Sequence, residues 1–135
     1  MNTKNNYVLA LMLALSSSAA LAAWTEIEKF EDGMRVFADP ASVKRSGDTA
    51  SLEHLVAWPV PQLEPAQPAY LSTKVLTDYD CIGKRERYQS SISYAGAMGN
   101  GARVAIDDNA AEGWDPISAA SMEEKLWQMA CLPRS

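Results

Sequence analysis

Cysteine and histidine are nearly absent from this chain, and each scarcity removes a class of chemistry. There are two cysteines, Cys81 and Cys131, and one histidine, His54. Two cysteines so far apart form neither a CxxC redox pair nor a zinc set. A Ser-His-Asp or Cys-His site would have to use His54, and no G-x-S-x-G motif accompanies it. That histidine reads as a half-buried strand residue, and no catalytic residue is expected. Basic residues are also few: 12 Lys and Arg against 17 Asp and Glu give a net charge of −5. This is the reverse of a nucleic-acid binder, and a basic membrane-surface helix is missing too. After the first residues no apolar run is long enough to span a bilayer, so no transmembrane segment is expected. The glycines of 96–101 match neither a P-loop nor GxGxxG, and they lead into a strand, so no phosphate-binding cofactor is expected.

What is present begins with a targeting segment. Lys4 supplies a positive start, residues 7–15 are apolar, and small residues end at Ala20-Leu21-Ala22. The pattern predicts a signal peptide over 1–22, cut between Ala22 and Ala23, and a single domain over 23–135. No cysteine follows that cut, so an N-terminal lipid anchor is not expected. An exported chain of 135 residues with 47% apolar residues has enough material for one packed core.

Export changes how the cysteines read. In an oxidising compartment, two of them are most simply one intramolecular disulfide, Cys81–Cys131. Two free thiols or an intermolecular bridge are the alternatives. Closing so long a loop is worth about 4 kcal/mol in the chain-entropy account.

Hydrophobic alternation predicts strands over 23–30 and 34–38, joined by the Glu31-Asp32-Gly33 turn. Asp39 then caps a short turn begun by Pro40, and 44–48 is a polar turn. A long strand covers 49–58, with Leu52, His54, Val56 and Trp58 on one face. Four prolines in 59–68 exclude a central strand there and predict a surface loop, and the P-x-x-P at 65–68 is read as a stiff part of it.

Strands at 70–80 and 84–95 flank the Cys81-Ile82-Gly83 break. Strict alternation in the second puts Lys84, Glu86, Tyr88, Ser90, Ile92 and Tyr94 on one face. Arg85, Arg87, Gln89, Ser91 and Ser93 fall on the other, a wet face. A short strand at 102–106 follows the glycine-rich turn. The last element is a helix opened by the capping box Ser121-Met122-Glu123-Glu124 and stopped by Pro133. Trp127 and Cys131 are four apart, so a disulfide at Cys131 would draw the apolar helix face onto the sheet. The expected fold is α+β: an antiparallel sheet of about six strands packed with a C-terminal helix.

Two surface features are candidates for binding. Lys84, Arg85 and Arg87 form the densest basic patch, suited to an acidic partner or a sulfated glycan. A charged face that discourages aggregation is the plainer reading. Asp107, Asp108, Asn109, Glu112 and Asp115 place oxygen ligands in one loop, but the EF-hand glycine and terminal glutamate are missing, so no metal is expected.

The order of features resembles a known family. Trp24 stands near the expected mature start, followed by Val36-Phe37-Ala38-Asp39-Pro40 with Ser42 and Val43. Then come a long strand, a proline-bearing loop, Tyr70-Leu71-Ser72, Asp80-Cys81, Arg85, a tyrosine strand and a glycine-rich turn. Trp114-Asp115-Pro116-Ile117 and the final cysteine complete the series. This pattern is similar to the surface-adhesin protein E family of small exported bacterial proteins. The resemblance implies an antiparallel sheet, a C-terminal helix, a disulfide at Cys81 and Cys131, and no enzymatic activity. The adhesin that gives the family its name binds host extracellular-matrix and plasma proteins and can dimerise. The polar segments do not align residue by residue, so the resemblance assigns no ligand-binding residue. The expected function is therefore binding of a protein or glycan by an exported domain, periplasmic or secreted. The alternative is an accessory envelope protein with no host ligand.

Overall fold

The computed structural model describes residues 23–132. The expected signal peptide and its cut after Ala22, together with the helix stop at Pro133, lie outside that range. Eight strands form one antiparallel sheet: β1 (Thr25–Lys29), β2 (Arg35–Ala38), β3 (Lys44–Ser46), β4 (Thr49–Gln62), β5 (Tyr70–Asp80), β6 (Arg85–Tyr94), β7 (Arg103–Asp107) and β8 (Asp115–Pro116). The main path is β1-β2-β4-β5-β6-β7, the six strands expected; β3 pairs with β4 and β8 with β6. One helix, α1 (Met122–Cys131), follows.

The helix packs on one face of the sheet. Ala38, Ala50, Leu52, Tyr79, Ile117, Leu126, Ala130 and Cys131 form the core there, with Ile27, Val43, Cys81, Met122 and Trp127 around it. The Cys81–Cys131 disulfide is formed, with Cα atoms 5.4 Å apart. It ties the end of α1 to the β5–β6 turn, and the Trp127 indole N–H donates to the Asp80 carbonyl at 3.0 Å beside it. The Ser121 hydroxyl accepts from Glu124 N–H at 3.0 Å, as a cap should, while the Glu124 carboxylate accepts from Ala120 N–H. At the other end, the Arg45 guanidinium donates to the Cys131 carbonyl at 2.8 Å.

On the opposite face Phe37, Leu55, Ser72 and Tyr94 are buried. The glycine-rich turn folds back over them, held by Gly99 N–H on Ser72 Oγ and by the Ser72 hydroxyl on the Gly96 carbonyl.

Three expectations need correction. First, the long strand does not stop at Trp58 but runs to Gln62, through Pro59 and Pro61. Its ladder to β5 is broken between Ala57 and Gln62, so the prolines stand where no N–H is demanded. Second, the polar turn at 44–48 contains β3, paired back on Thr49 to Ser51, and Asp115–Pro116 forms β8 against Arg85 and Glu86.

Third, alternation along β6 is interrupted. Thr77 pairs with Tyr88 and Leu76 with Ser90, leaving Gln89 as an extra residue. A bulge of this kind shifts the side-chain phase by one. Ser91 and Ser93 therefore join Glu86 and Tyr88 on the helix side, and Ser90, Ile92 and Tyr94 join Arg85 and Arg87. A similar extra residue in β1, Ile27, explains the imperfect alternation there.

Candidate functional site

A ten-residue helix is about 15 Å long, whereas an eleven-residue strand such as β5 extends about 36 Å. Anchored by its disulfide at the Asp80 end, α1 covers only part of the face it packs on. Beyond the helix the same face lies open, and it carries Trp58, Tyr70, Thr73, Ser91 and Ser93 beside the apolar Ala105 and Ile106.

This open half is a trough. At its far end, a concave region of about 400 Å³ is lined by Trp58, Glu64, Tyr70, Thr73, Ser91, Ser93, Ile106 and Asp107. The Trp58 and Tyr70 rings meet edge to face with centroids 5.2 Å apart. The Tyr70 hydroxyl donates to Glu64 at 2.6 Å, and that bond pushes its pKa up to about 12. Thr73 and Ser93 share a hydroxyl hydrogen bond of 2.8 Å. The Tyr88 hydroxyl lies 2.8 Å from Ser91 Oγ and 3.3 Å from the Asp107 carbonyl, which links β6 to β7 at the middle of the trough.

At its near end the trough runs under the first turn of α1. A cleft of about 230 Å³ there includes His54, Thr77, Glu86, Tyr88, Asp115 and Glu123. Burial holds the His54 imidazole down, to about 4, partly offset by the Glu123 carboxylate. The imidazole is therefore neutral at physiological pH. Among the described residues its buried Nδ1 meets no hydrogen-bond partner. Glu86 is raised, first by burial and then by repulsion from Glu123 and Asp115.

The expected basic patch is divided. Lys84, in the turn with a positive φ of 51°, shares the helix side with Glu86. There it pairs with Glu124 and lies 5.7 Å from the Trp127 ring centroid. Arg85 and Arg87 do point the same way, onto the opposite face. Arg85 makes a two-pronged pair with Asp80, at 2.9 and 2.7 Å. Arg87 meets Asp78 at 3.3 Å. Both guanidinium groups stack on Trp114, at 5.6 and 4.3 Å from the ring centroid. Each cation is thus matched by a carboxylate and an aromatic ring. Asp80 also accepts from the N–H groups of Ile82 and Gly83, and the Gly83 bond, then Arg85, holds its pKa down.

The acidic loop does not converge. Asp107 closes on Asn109 N–H at 2.9 Å, while Asp115 is drawn into β8. Among the described residues no three His, Cys, Asp or Glu side chains come together as a metal set. Sequence reasoning missed the trough. Its signal was available in Trp58 and Thr73 sharing parity with core residues while lying beyond the reach of a short helix.

Comparison with known proteins bears on this architecture. No curated protein sequence matches the chain. Solved structures of Haemophilus influenzae protein E share its fold. Crystal form II superposes with a TM-score of 0.60 at 13% identity, covering 71% of this chain and 79% of that one. The selenomethionine form gives 0.59 at 13% identity, over 77% and 83%. Protein E from a non-typeable strain gives 0.62 at 11% identity, over 82% and 76%. At such identities the likeness speaks for fold alone. The sequence itself matches the model of the family described as Surface-adhesin protein E across residues 24–132, and the chain belongs to that family.

Proposed function

We propose that this chain is an exported adhesin-type binding protein that meets an extracellular-matrix or envelope protein, or a glycan, through the open half of its helix-side sheet face. The observation that carries this reading is the composition of the trough. Trp58 and Tyr70 give a rigid aromatic wall, while Thr73, Ser91 and Ser93 give hydroxyls beside the Glu64 and Asp107 carboxylates. Aromatic faces with hydroxyl and carboxylate acceptors suit sugars and polar protein loops alike. Family membership supports the same class of activity, and it supports a binding role over hydrolysis.

A second reading places the contact at Arg85 and Arg87 instead, and one observation favours it. Although paired, their side chains stay 46% and 32% exposed along Trp114. Lys84 belongs with them only if a partner spans both faces. Homodimerisation is a further proposal, best placed at the exposed outer strand β7, where Ile106 is 59% exposed.

The test has two arms. Protease treatment of intact cells should digest the protein if it is displayed; full protection would point to the accessory role inside the envelope. An array of matrix proteins and glycans probed with the purified disulfide-bonded protein should give saturable binding. No binding to any of them would remove the adhesin reading.

A further inference from the structure

An aromatic wall and a floor of hydroxyls meet at the far end of the trough. Tyr70 is 8% exposed, so it backs the wall, and its edge-to-face contact sets the angle of the Trp58 ring. Trp58 is only half-buried, so it is the ring that a ligand meets. On the floor, Thr73 of β5 sits opposite Ser93 of β6, and Val75 sits opposite Ser91. Two residues along one strand are about 7 Å apart, which sets the spacing of Ser91 and Ser93. Thr73 and Ser93 share one hydrogen bond, and Ser91 has one from Tyr88. A hydroxyl has one donor and two acceptor sites, so each keeps capacity for a ligand.

The charge of the lining is an independent observation. Glu64 and Asp107 line this end, and among the described residues no Lys or Arg does. Glu64 is exposed, yet both of its oxygens are held: one accepts from the Tyr70 hydroxyl at 2.6 Å, the other from the Gln67 side-chain amide at 2.7 Å. Asp107 accepts from Asn109 N–H at 2.9 Å. Between Glu64 and Gln67, Ala66 takes a φ of 64°. An alanine adopts that left-handed form only where its surroundings impose it. The loop is thus folded so that Glu64 presents a fixed carboxylate with lone pairs to spare.

We propose that this end of the trough is a subsite for one uncharged pyranose residue of a glycan, lying against Trp58 and hydrogen-bonded to Glu64 and to the floor hydroxyls. A pyranose carries C–H groups across its faces and hydroxyls around its rim. The C–H face suits an aromatic ring, and the rim suits fixed carboxylate and hydroxyl partners. The hollow, about 400 Å³, is of the size that takes a small ligand. A sulfated, sialylated or phosphorylated sugar brings negative charge against Glu64 and Asp107 and is repelled. That separates this subsite from the Arg85 and Arg87 face, whose cations suit anionic glycans. A protein partner would need an apolar pocket for its anchor side chain, whereas the aliphatic lining here is Ala105 and Ile106 among the described residues. The inference rests on the reading of this face as the binding surface, and narrows the partner from a protein or glycan to a neutral sugar.

The test uses the purified, disulfide-bonded protein and saturation-transfer NMR with the methyl glycosides of glucose, galactose and N-acetylglucosamine. Saturable transfer to the ring protons of at least one is expected, and the 6-sulfated form of that sugar should bind at least about tenfold more weakly. Trp58→Ala should weaken the neutral sugar about tenfold or more. Glu64→Gln changes an exposed loop residue, so it leaves the fold intact, as urea midpoints will check. It should weaken the neutral sugar and narrow the gap to the sulfated one, a change that mere loosening of the loop would not give. No saturable transfer to any of the three sugars, equal binding of the sulfated form, or binding that both variants leave unchanged would overturn the inference. A matrix protein whose binding needs Trp58, with no sugar bound, would remove the sugar and keep the binding face.

Discussion

His54 couples the sheet to pH. Its folded pKa, about 4, lies below the unfolded value near 6.5. A base depressed in this way adds stability that is complete above about pH 6.5 and is lost as pH falls toward 4. Between pH 7 and pH 5 the loss should be about 2 kcal/mol. His54→Leu should remove that slope whatever its effect at neutral pH, as read from urea midpoints across the range. An unchanged slope in the variant would show that His54 is not held neutral. The strand position of His54 was legible from its parity with Leu52 and Val56. The orphaned Nδ1 was not, because it depends on how α1 and β6 close over it. The basic triplet follows strand parity as read: Arg85 and Arg87 share one face, and Lys84 falls on the other with Glu86, where it meets Glu124.

Single extra residues decide the elements. The β6 strand was legible as a strand, yet Gln89 shifts its phase and exchanges the faces of Ser91 and Ser93 with those of Ser90, Ile92 and Tyr94. Nothing local marks such a bulge; the partner strand's register sets it. The prolines of β4 misled for a related reason, since a proline excludes pairing but not extension. The helix was readable at both levels, start and face. Ser121→Ala should cost about 1 kcal/mol, measured by urea unfolding, because Glu124 N–H would lose its acceptor. The disulfide was readable from compartment and count. Reducing it, or changing Cys81 and Cys131 together to Ser, should lower stability by about 4 kcal/mol. A far smaller loss would mean that the helix holds its place through Leu126, Ala130 and the Trp127 hydrogen bond alone.

The whole molecule is a long sheet under a short helix. That mismatch leaves the trough, with Trp58 and Tyr70 at one end and the acidic cleft at the other. Both parts belong to one face, so a partner lying along the sheet would touch both. Arg85 and Arg87 lie on the opposite face, where their carboxylate partners already balance them. The two surfaces therefore separate cleanly by mutation. The decisive measurement is the affinity, by surface plasmon resonance, of Trp58→Ala and of the Arg85→Ala/Arg87→Ala double variant for whichever matrix protein or glycan the wild type binds. Loss of the aromatic wall should weaken binding at least about tenfold, while the double variant binds as the wild type does. Undiminished binding by Trp58→Ala, with loss in the double variant, would place the contact on the arginine face and contradict the account.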